Sequence, residues 1–250
     1  MPLIFNSYAR DLADRLAKIQ PQDLLETAAG TGALSRAIAS RLPAQVPIVA
    51  TDLNQPMLDR AAAHDPMNGR INWRQADALA LPFADQSFDA VVCQFGVMFF
   101  PDKVQGYKEA RRVLKPGGSF LFNVWDRISE NAFADVVLRA LAGLFPQDPP
   151  SFMARTPHGY HDVDVIRREL QQAGFQSAAI ESVDHTSRAA TPRDVAIAYC
   201  QGTPLRNEID ALYSSRLEEA TRIATEALAR RFGAGPVAGP IKAHVVTAVR

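Results

Sequence analysis

Short apolar runs alternate with stretches of helical periodicity along the first half of the chain. Runs of apolar and β-branched residues predict strands near 22–27, 46–52, 70–75, 88–95 and 119–125. Between them, the spacing of apolar residues predicts helices at about 33–42, 56–64 and 102–114. Because buried strands alternating with amphipathic helices are typical of βαβ units, we expect an α/β fold with a mainly parallel sheet.

The alternation is looser after Asp126. Two helices and a strand are predicted there, at about 131–143, 163–173 and 176–183. The segment 192–232 is rich in Ala, Leu, Arg and Glu at helical spacing, which predicts a helical insertion. The Gly- and Pro-rich stretch GAGPVAGP should then break the helix before a final strand, IKAHVVTAVR.

Size and charge limit the possible domain organisation and partners. The chain has 250 residues, of which 47% are hydrophobic, enough for one domain with a large core. We expect a single domain over 1–250, with insertions at 127–162 and 192–232 that cover a binding site. Lys plus Arg equals Asp plus Glu at 27 each, so no net positive field favours nucleic acid as a partner.

Cysteine usage and hydropathy indicate a cytoplasmic protein. Cys93 and Cys200 lie in apolar surroundings and are too few for the disulfide framework of a small secreted protein. The N-terminal sequence MPLIFNSYARDLADRL lacks the unbroken apolar stretch of a signal peptide. Nor does any later stretch approach the roughly 20 apolar residues of a membrane-spanning helix. The oligomeric state is left open.

The most informative stretch is LLETAAGTG, residues 24–32, where a buried strand runs into a glycine-bearing loop and then a helix. Gly30 and Gly32 would let the backbone approach a ligand closely. A pair of glycines after a strand is also typical of a plain tight turn. Here the strand before the loop and the helix after it favour a ligand site.

Carboxylates end the next two predicted strands. Asp52 closes IVATD about 20 residues beyond the loop, where a doubly wound fold places an acceptor for both hydroxyls of a ribose. The alternative role of Asp52 is a helix N-cap. Asp77, followed by Ala78, suits the exocyclic amine of adenine, whereas Asp85 and Asp89 fit turn and strand-start roles. Together these residues predict a nucleoside ligand.

Glu26 helps to separate the two classes of nucleoside cofactor. At the mouth of the loop it would stand beside a pyrophosphate, and like charges about 4 Å apart cost roughly 1 to 4 kcal/mol. A ligand with an ammonium and a sulfonium, such as S-adenosylmethionine, suits the position better. Ser35 replaces the third glycine of the dinucleotide fingerprint, which is supportive only. A nicotinamide oxidoreductase and a nucleoside-binding regulatory protein remain as alternatives.

The segments ETAAGTG, TDLNQPML, QADALALPFADQSFDAVVCQFGVMFF and EARRVLKPGGSFLFNVWD together resemble the class I S-adenosylmethionine-dependent methyltransferases. The likeness is greatest to their small-molecule group, which includes the ubiquinone and menaquinone biosynthesis enzymes. It covers about residues 20–126 and, more loosely, the AGF turn and the last strand. The resemblance implies a doubly wound seven-stranded sheet of order 3-2-1-4-5-7-6, with its last strand antiparallel, helices on both faces and a helical lid.

The same resemblance implies the cofactor, the reaction and the site. The cofactor would be S-adenosylmethionine, with its methyl group passed in line to a small-molecule acceptor. The family's cofactor positions fall on Glu26, Ala28, Gly30 and Gly32 for the methionine moiety, Asp52, Leu53 and Met57 for ribose and adenine, Asp77 and Ala78 for adenine, and Gln94 and Phe95 beside the reactive methyl. The acceptor, and whether O, N, C or S is methylated, stay open.

The chain departs from familiar patterns at two places. Ala28 stands where the family usually has Gly, so either its φ stays negative or the loop carries about 1–2 kcal/mol of strain. Residues 94–97, QFGV, do not resemble the Asn/Asp-Pro-Pro-Tyr/Phe motif of enzymes that methylate exocyclic amines of DNA bases or glutamine. This second departure favours a small-molecule acceptor.

The sequence assigns no catalytic residue. A sulfonium is already an activated donor, so alignment and exclusion of water dominate, and a general base is needed only for a tightly held proton. His158 and His161 in PHGYHD are candidates for that base, against a plain loop with Asp162 as a helix cap. Tyr8 either reaches the methionine carboxylate or packs the first helix. The spacing of His and Cys residues gives no metal site.

Overall fold

The computed structural model describes residues 2–65, 69–212 and 216–250, which form a seven-stranded mixed sheet with helices around it. The strands lie in the order β3-β2-β1-β4-β5-β7-β6, which confirms the predicted order. They are β1 (Leu24–Glu26), β2 (Ile48–Asp52), β3 (Ile71–Gln75), β4 (Phe88–Gln94), β5 (Leu114–Trp125), β6 (Ala178–Ala189) and β7 (Val237–Val249).

The described α-helices are α1 (Pro2–Ile19), α2 (Ala33–Ala39), α3 (Gln55–Ala63), α4 (Lys103–Val113), α5 (Ala132–Leu144), α6 (Phe152–Arg155), α7 (Val163–Gln172), α8 (Pro192–Cys200), α9 (Leu205–Leu212) and α10 (Leu217–Phe232). Of these, α2, α3, α4, α5 and α7 lie close to the positions predicted from the sequence, whereas no range was predicted for α1. The short α6 lies between α5 and α7, where the sequence predicts no helix. The insertion 192–232 holds three helices, with residues 213–215 outside the described part. Its role as a cover stays a prediction.

Parallel pairing around β1 sets the position of the site. β1 pairs with β2 on one side and β4 on the other, with Leu24 opposite both Ile48 and Ala90. All three residues of β1 are buried, as is usual when helices cover both faces of a parallel sheet. Because the strands run in one direction, their carboxyl ends meet at one edge of the sheet.

β5 begins earlier than predicted. The sequence predicts this strand only from about residue 119, after the Pro- and Gly-containing KPGG stretch, but Leu114 already pairs with Phe88. Within KPGG, Gly117 donates its N–H to the Arg250 carbonyl at 3.1 Å, and Arg250 donates to the Gly118 carbonyl at 3.0 Å. Backbone partners on β7 therefore extend the strand, and a shift of register between Phe88 and Ala90 accommodates the extra residues.

β7 runs antiparallel to β5, as the family resemblance implies. Gly117 lies beside Arg250, whereas Asp126, just beyond β5, donates to Lys242 at 3.0 Å. Residue numbers therefore rise along β5 in the direction in which they fall along β7, which is the pattern of antiparallel strands. β7 also begins at Val237, within the GAGPVAGP stretch that was predicted to be a break. A glycine suits position 239, since a Cβ there would be crowded by the ring of Phe133 at 3.0 Å.

The described chain divides into two compact units. One holds the described residues of Met1–Ile4, Trp125–His161 and Ser182–Ala243, and in it α5, α8 and α10 pack on one another. The other holds Phe5–Val124, Asp162–Glu181 and His244–Arg250, and in it α4 packs on α7. No helix within these described residues has both the length and the apolar character needed to cross a bilayer. A single domain over 1–250 and a cytoplasmic location stay predictions.

Asp89 has the strand-start role that the sequence predicts. Its Oδ2 accepts the backbone N–H groups of Gln22 at 2.9 Å and Asp23 at 2.8 Å. Lys115 bridges Asp89 and Asp23 at 3.0 and 2.7 Å. Burial alone would raise the pKa of Asp89, but the hydrogen bonds from Lys115 and the two backbone groups outweigh burial and lower it. This cluster ties together the amino ends of β1, β4 and β5.

We predict that Asp89→Asn lowers the free energy of unfolding by about 2 kcal/mol at pH 7, because hydrogen bonds to a charged group are lost. A folded-state pKa below the ordinary 3.8 means that the carboxylate contributes fully above that value and loses its contribution as the pH falls through the folded pKa. The difference from wild type should therefore narrow below about pH 4. Urea unfolding between pH 3 and 7 measures it.

Asp85→Asn is the matched control, since its carboxylate is 69% exposed and pairs with Arg112 at the surface. It should change the free energy by no more than about 0.5 kcal/mol. An Asp89→Asn variant as stable as this control would show that the Asp89 cluster does not hold the strand starts together.

Candidate functional site

The loop after β1 is shaped by three residues with positive φ: Ala28 at 52°, Gly30 at 56° and Gly32 at 77°. Both neighbouring strands anchor it, because Thr27 donates to the Val92 carbonyl and Ala29 to the Thr51 carbonyl, each at 2.9 Å. Gly32 has no room for a side chain, since a Cβ would lie 2.6 Å from the Trp73 ring. The loop is therefore a fixed turn of backbone at the carboxyl edge of the sheet.

The sequence left open whether Ala28 has a negative φ or a strained positive φ. The structure shows the positive φ. A left-handed conformation costs a residue with a Cβ about 1–2 kcal/mol, which a glycine would not incur. Its methyl group packs against Gly96, where a Cβ would lie 2.4 Å from that of Ala28. Gly96 is thus part of the site, although its sequence context gave it no role. Only the packing of the β4 exit against the loop reveals it.

Glu26 ends β1 as a buried carboxyl group. It is 1% exposed, and its Oε2 has no hydrogen-bond partner among the described residues. Burial raises the pKa of Glu26 to about 8; the nearby Ser35 hydroxyl opposes this rise, the like charge of Asp52 adds to it, and the charge of Arg36 opposes it. A buried oxygen without a partner is costly, and a cation with N–H groups would satisfy it. The geometry therefore fits the ammonium that the sequence predicts at this position.

Asp52 links the loop to the end of β2. Its Oδ2 accepts the Gly30 N–H and its Oδ1 accepts the Asn54 N–H, both at 2.8 Å. The alternative role of Asp52 as a helix N-cap is wrong, because Asn54 occupies the N-cap of α3. Each carboxylate oxygen has a second lone pair, so Asp52 can also accept from ribose hydroxyls.

Leu53 and Met57 form an apolar surface beside Asp52. They are 66% and 44% exposed, which is high for large apolar side chains and suits the face of an adenine ring. The exit of β3 is held close by, since Ala76 donates to the Asp52 carbonyl at 3.1 Å and Gln75 to the Leu53 carbonyl at 2.9 Å.

Asp77 and Ala78 follow the β3 exit. Asp77 is exposed, and its Oδ1 accepts the Leu79 N–H at 2.9 Å in a local turn. Its other oxygen has no partner in the part of the chain that the structure describes. The predicted adenine contact is therefore compatible with the turn.

Gln94 and Phe95 form the β4 exit. Gln94 Oε1 is buried without a partner among the described side chains and backbone groups. Phe95 has a φ of 51°, and its ring lies against Phe5 at 5.7 Å and edge-on to Tyr8 at 5.4 Å. Tyr8 is fully buried, so of its two predicted roles the packing role is the one observed.

The two candidate bases lie in the other unit, in a loop that leads to α7. Asp162 caps α7 by accepting from Asp164 at 2.9 Å and Val165 at 3.2 Å, as its alternative role requires. His158 is 4% exposed and donates through Nδ1 to the Asp126 carbonyl at 2.8 Å. Burial lowers the pKa of His158 to about 4, so its ring is neutral at physiological pH. Its role as a base stays a prediction.

Over residues 2–65, 69–212 and 216–250, no three or more His, Cys, Asp or Glu side chains group together in a way that would hold an ion.

Comparison with known proteins adds the family to this geometry. A family model described as a methyltransferase domain matches residues 25–122, a range that contains every predicted cofactor residue. The chain is 30% identical over 175 residues to the ubiquinone/menaquinone biosynthesis C-methyltransferase UbiE of Stenotrophomonas maltophilia, covering 64% of this chain and 68% of that protein. The chain belongs to the class I S-adenosylmethionine-dependent methyltransferases. The resemblance inferred from its motifs is thereby confirmed.

Another relative matches the chain over part of its own length. UbiE of Haemophilus ducreyi is 32% identical over 170 residues, which is 62% of this chain. The chain spans 65% of the length of that relative, slightly less than two thirds.

Two solved structures share the methyltransferase fold over most of the chain. The YcgJ protein of Bacillus subtilis has a TM-score of 0.62 at 17% identity, covering 98% of both chains. The [4+2]-cyclase SpnF has a TM-score of 0.57 at 17% identity, covering 96% of this chain and 81% of that one. Since proteins named for different reactions share this fold, the reaction has to be argued from the site.

We predict that Ala28→Gly raises the free energy of unfolding by about 1 kcal/mol, because relief of left-handed strain exceeds the added entropy of the unfolded chain. Urea unfolding measures it. Gln20→Gly is the control, since Gln20 has a φ of 56° at the end of α1. It should stabilise the protein similarly. A less stable Ala28→Gly variant would mean that the methyl contact with Gly96 outweighs the strain.

Proposed function

We propose that this chain transfers the methyl group of S-adenosylmethionine to a small-molecule acceptor by in-line displacement. The observation that carries the proposal is the buried Glu26 carboxyl, whose Oε2 has no hydrogen-bond partner within the described part of the chain and lies beside a loop bent by three positive φ angles. A cationic amino-acid moiety complements that oxygen. When bound, the cofactor supplies an activated methyl group.

In this proposal, different residues bind different parts of the cofactor. Glu26 accepts from the ammonium, Asp52 accepts from the ribose hydroxyls, and Asp77 accepts from the adenine amine. The remaining contacts come from the backbone of Ala28, Gly30 and Gly32, from Leu53, Met57 and Ala78 around adenine, and from Gln94 and Phe95 beside the methyl group. In support, Leu53 and Met57 offer exposed apolar surface, and Glu26 and Gln94 each have a side-chain oxygen without a hydrogen-bond partner among the described residues.

The acidic character of the loop opposes the alternative cofactor. Asp52 bonds to Gly30 at 2.8 Å, and Glu26 lies close enough for the Asp52 charge to raise its pKa. A pyrophosphate in this loop would meet the charge of Asp52, at a cost of roughly 1 to 4 kcal/mol for a charge pair about 4 Å apart, and would keep the Glu26 carboxyl protonated. A nicotinamide dinucleotide is therefore the less favourable ligand.

The remaining task of the protein is to align the acceptor and exclude water. For an acceptor with a tightly held proton, the neutral His158 is the candidate base. Because the relatives are named for C-methylation in ubiquinone and menaquinone biosynthesis, carbon acceptors of that kind are the first compounds to test.

The proposal is tested by ligand binding and then turnover. S-adenosylhomocysteine should raise the melting temperature, because a ligand selective for the folded state stabilises it by about 2.7 kcal/mol at 100 times its dissociation constant. NAD should give no shift. Methyl transfer to a panel of carbon, oxygen and nitrogen acceptors separates an enzyme from a binding protein. A shift with NAD and none with S-adenosylhomocysteine would overturn the cofactor assignment.

A second test uses the proton on Glu26. With a pKa of about 8, its carboxyl is mostly protonated at pH 7, and an ammonium bound to it lowers that pKa. Binding therefore releases a proton, and affinity should rise with pH up to about 8, by at most tenfold per unit. Titration calorimetry of S-adenosylhomocysteine in buffers of different ionisation enthalpy measures the release, and we expect close to one proton.

Two variants sharpen the test. Glu26→Gln should bind with no proton release, whereas Asp59→Asn, which changes an exposed carboxylate on α3, should release as many protons as wild type. Proton release that is equal in wild type and Glu26→Gln would remove Glu26 as the ammonium ligand.

A further inference from the structure

We propose that Asn123 is a positioning residue of this methyltransferase, which holds the β4 exit, and through it the cofactor loop, in the binding conformation. This proposal rests on the function proposed above. Asn123 touches neither cofactor nor acceptor in it, and acts through the backbone of Phe95.

Asn123 makes two hydrogen bonds to one backbone group. It lies on β5 as the register partner of Gln94 and is fully buried. Its side-chain Oδ1 accepts the Phe95 N–H at 2.9 Å, and its own carbonyl accepts the same N–H at 3.2 Å. The side chain therefore fixes the first residue after β4.

Phe95 needs such a restraint because of its backbone conformation. Its φ of 51° lies in the left-handed region, which is unusual for a bulky residue and persists only where the surroundings enforce it. The ring is held from the other side by Phe5 and Tyr8 of α1. Without the Asn123 side-chain acceptor, the Phe95 N–H would keep only its longer bond to the Asn123 carbonyl, at 3.2 Å, and the strained backbone would be held less firmly.

A change at Phe95 would reach the cofactor loop through its neighbour. A Cβ at Gly96 would lie 2.4 Å from the Ala28 Cβ and 2.6 Å from Cys93 Sγ, so the β4 exit and the loop are packed without spare room. Ala28 is itself left-handed. Rotation of the Phe95–Gly96 peptide would therefore displace the loop that carries the predicted methionine contacts.

The amide nitrogen of the Asn123 side chain also supports this role. Its Nδ2 is buried and has no hydrogen-bond partner among the described residues. An apolar residue of similar size would avoid the penalty of a buried unpaired donor. What Asn123 offers over leucine in this core is its acceptor oxygen, and that oxygen is used on Phe95.

The test compares variants that remove or keep the acceptor. Asn123→Leu has similar volume and no acceptor, Asn123→Asp keeps the oxygen, and Ser119→Ala changes another buried polar residue of β5. Calorimetry with S-adenosylhomocysteine should show dissociation constants raised about tenfold or more for Asn123→Leu, within about threefold of wild type for Asn123→Asp, and unchanged for Ser119→Ala. Equal binding by wild type and Asn123→Leu, or equally weak binding by the Leu and Asp variants, would overturn the proposal.

A double-mutant cycle with Phe95 distinguishes a positioning role of Asn123 from a general packing role. It also provides a test if the Asn123→Leu variant does not fold. In a Phe95→Gly background the backbone adopts positive φ freely, so Asn123→Leu should then change the dissociation constant by no more than about threefold. A loss of about tenfold in that background, or a double variant that does not fold, would overturn the role of Asn123. Wild type that fails to bind S-adenosylhomocysteine would instead overturn the proposed function, and this proposal with it.

Discussion

Parallel pairing of the short strand β1 with both of its neighbours determines where the residues of the candidate site lie. β1 has three residues, and backbone bonds from Thr27 to Val92 and from Ala29 to Thr51 continue its alignment into the loop. These bonds fix the loop against β4 on one side and β2 on the other. The side chains of Glu26 and Asp52 consequently converge on the same turn of backbone, and Gln94 ends the next strand along that edge. Register, rather than proximity in sequence, brings the acidic residues together.

The site stores conformational strain in two residues that are not glycine. Ala28 and Phe95 both have φ near 50°, and the small Gly96 lies between them. Each costs about 1–3 kcal/mol in isolation, and each is held by contacts from a neighbouring strand or helix. Strain of this kind marks functional loops more often than structural ones. It fits a loop whose shape is set before a ligand arrives.

Much of this arrangement is readable from the sequence, because strands, glycines and terminal carboxylates are local signals. The loop after β1 and the position of Asp52 agree with the structure, as does the strand order, which the family resemblance implied rather than any local signal. Other features depend on long-range pairing that no local pattern contains. KPGG reads as a turn, yet β7 supplies partners that make it strand, and GAGPVAGP is partly strand for a similar reason. The sign of φ at Ala28 and the role of Asn123 likewise follow from packing between distant segments.

The ion cluster of Asp89, Lys115 and Asp23 lies at the amino ends of strands whose carboxyl ends carry the candidate site. Its charges are paired with one another, whereas the site keeps a carboxyl oxygen of Glu26 and an amide oxygen of Gln94 that have no hydrogen-bond partner over residues 2–65, 69–212 and 216–250. The groups that stabilise the sheet thus lie at the amino ends of these strands, and the groups of the candidate site lie at their carboxyl ends. Substitutions that adapt the carboxyl edge to a new acceptor need not disturb the cluster that secures the strand starts. A family built on this plan can diversify its substrates while it conserves its scaffold.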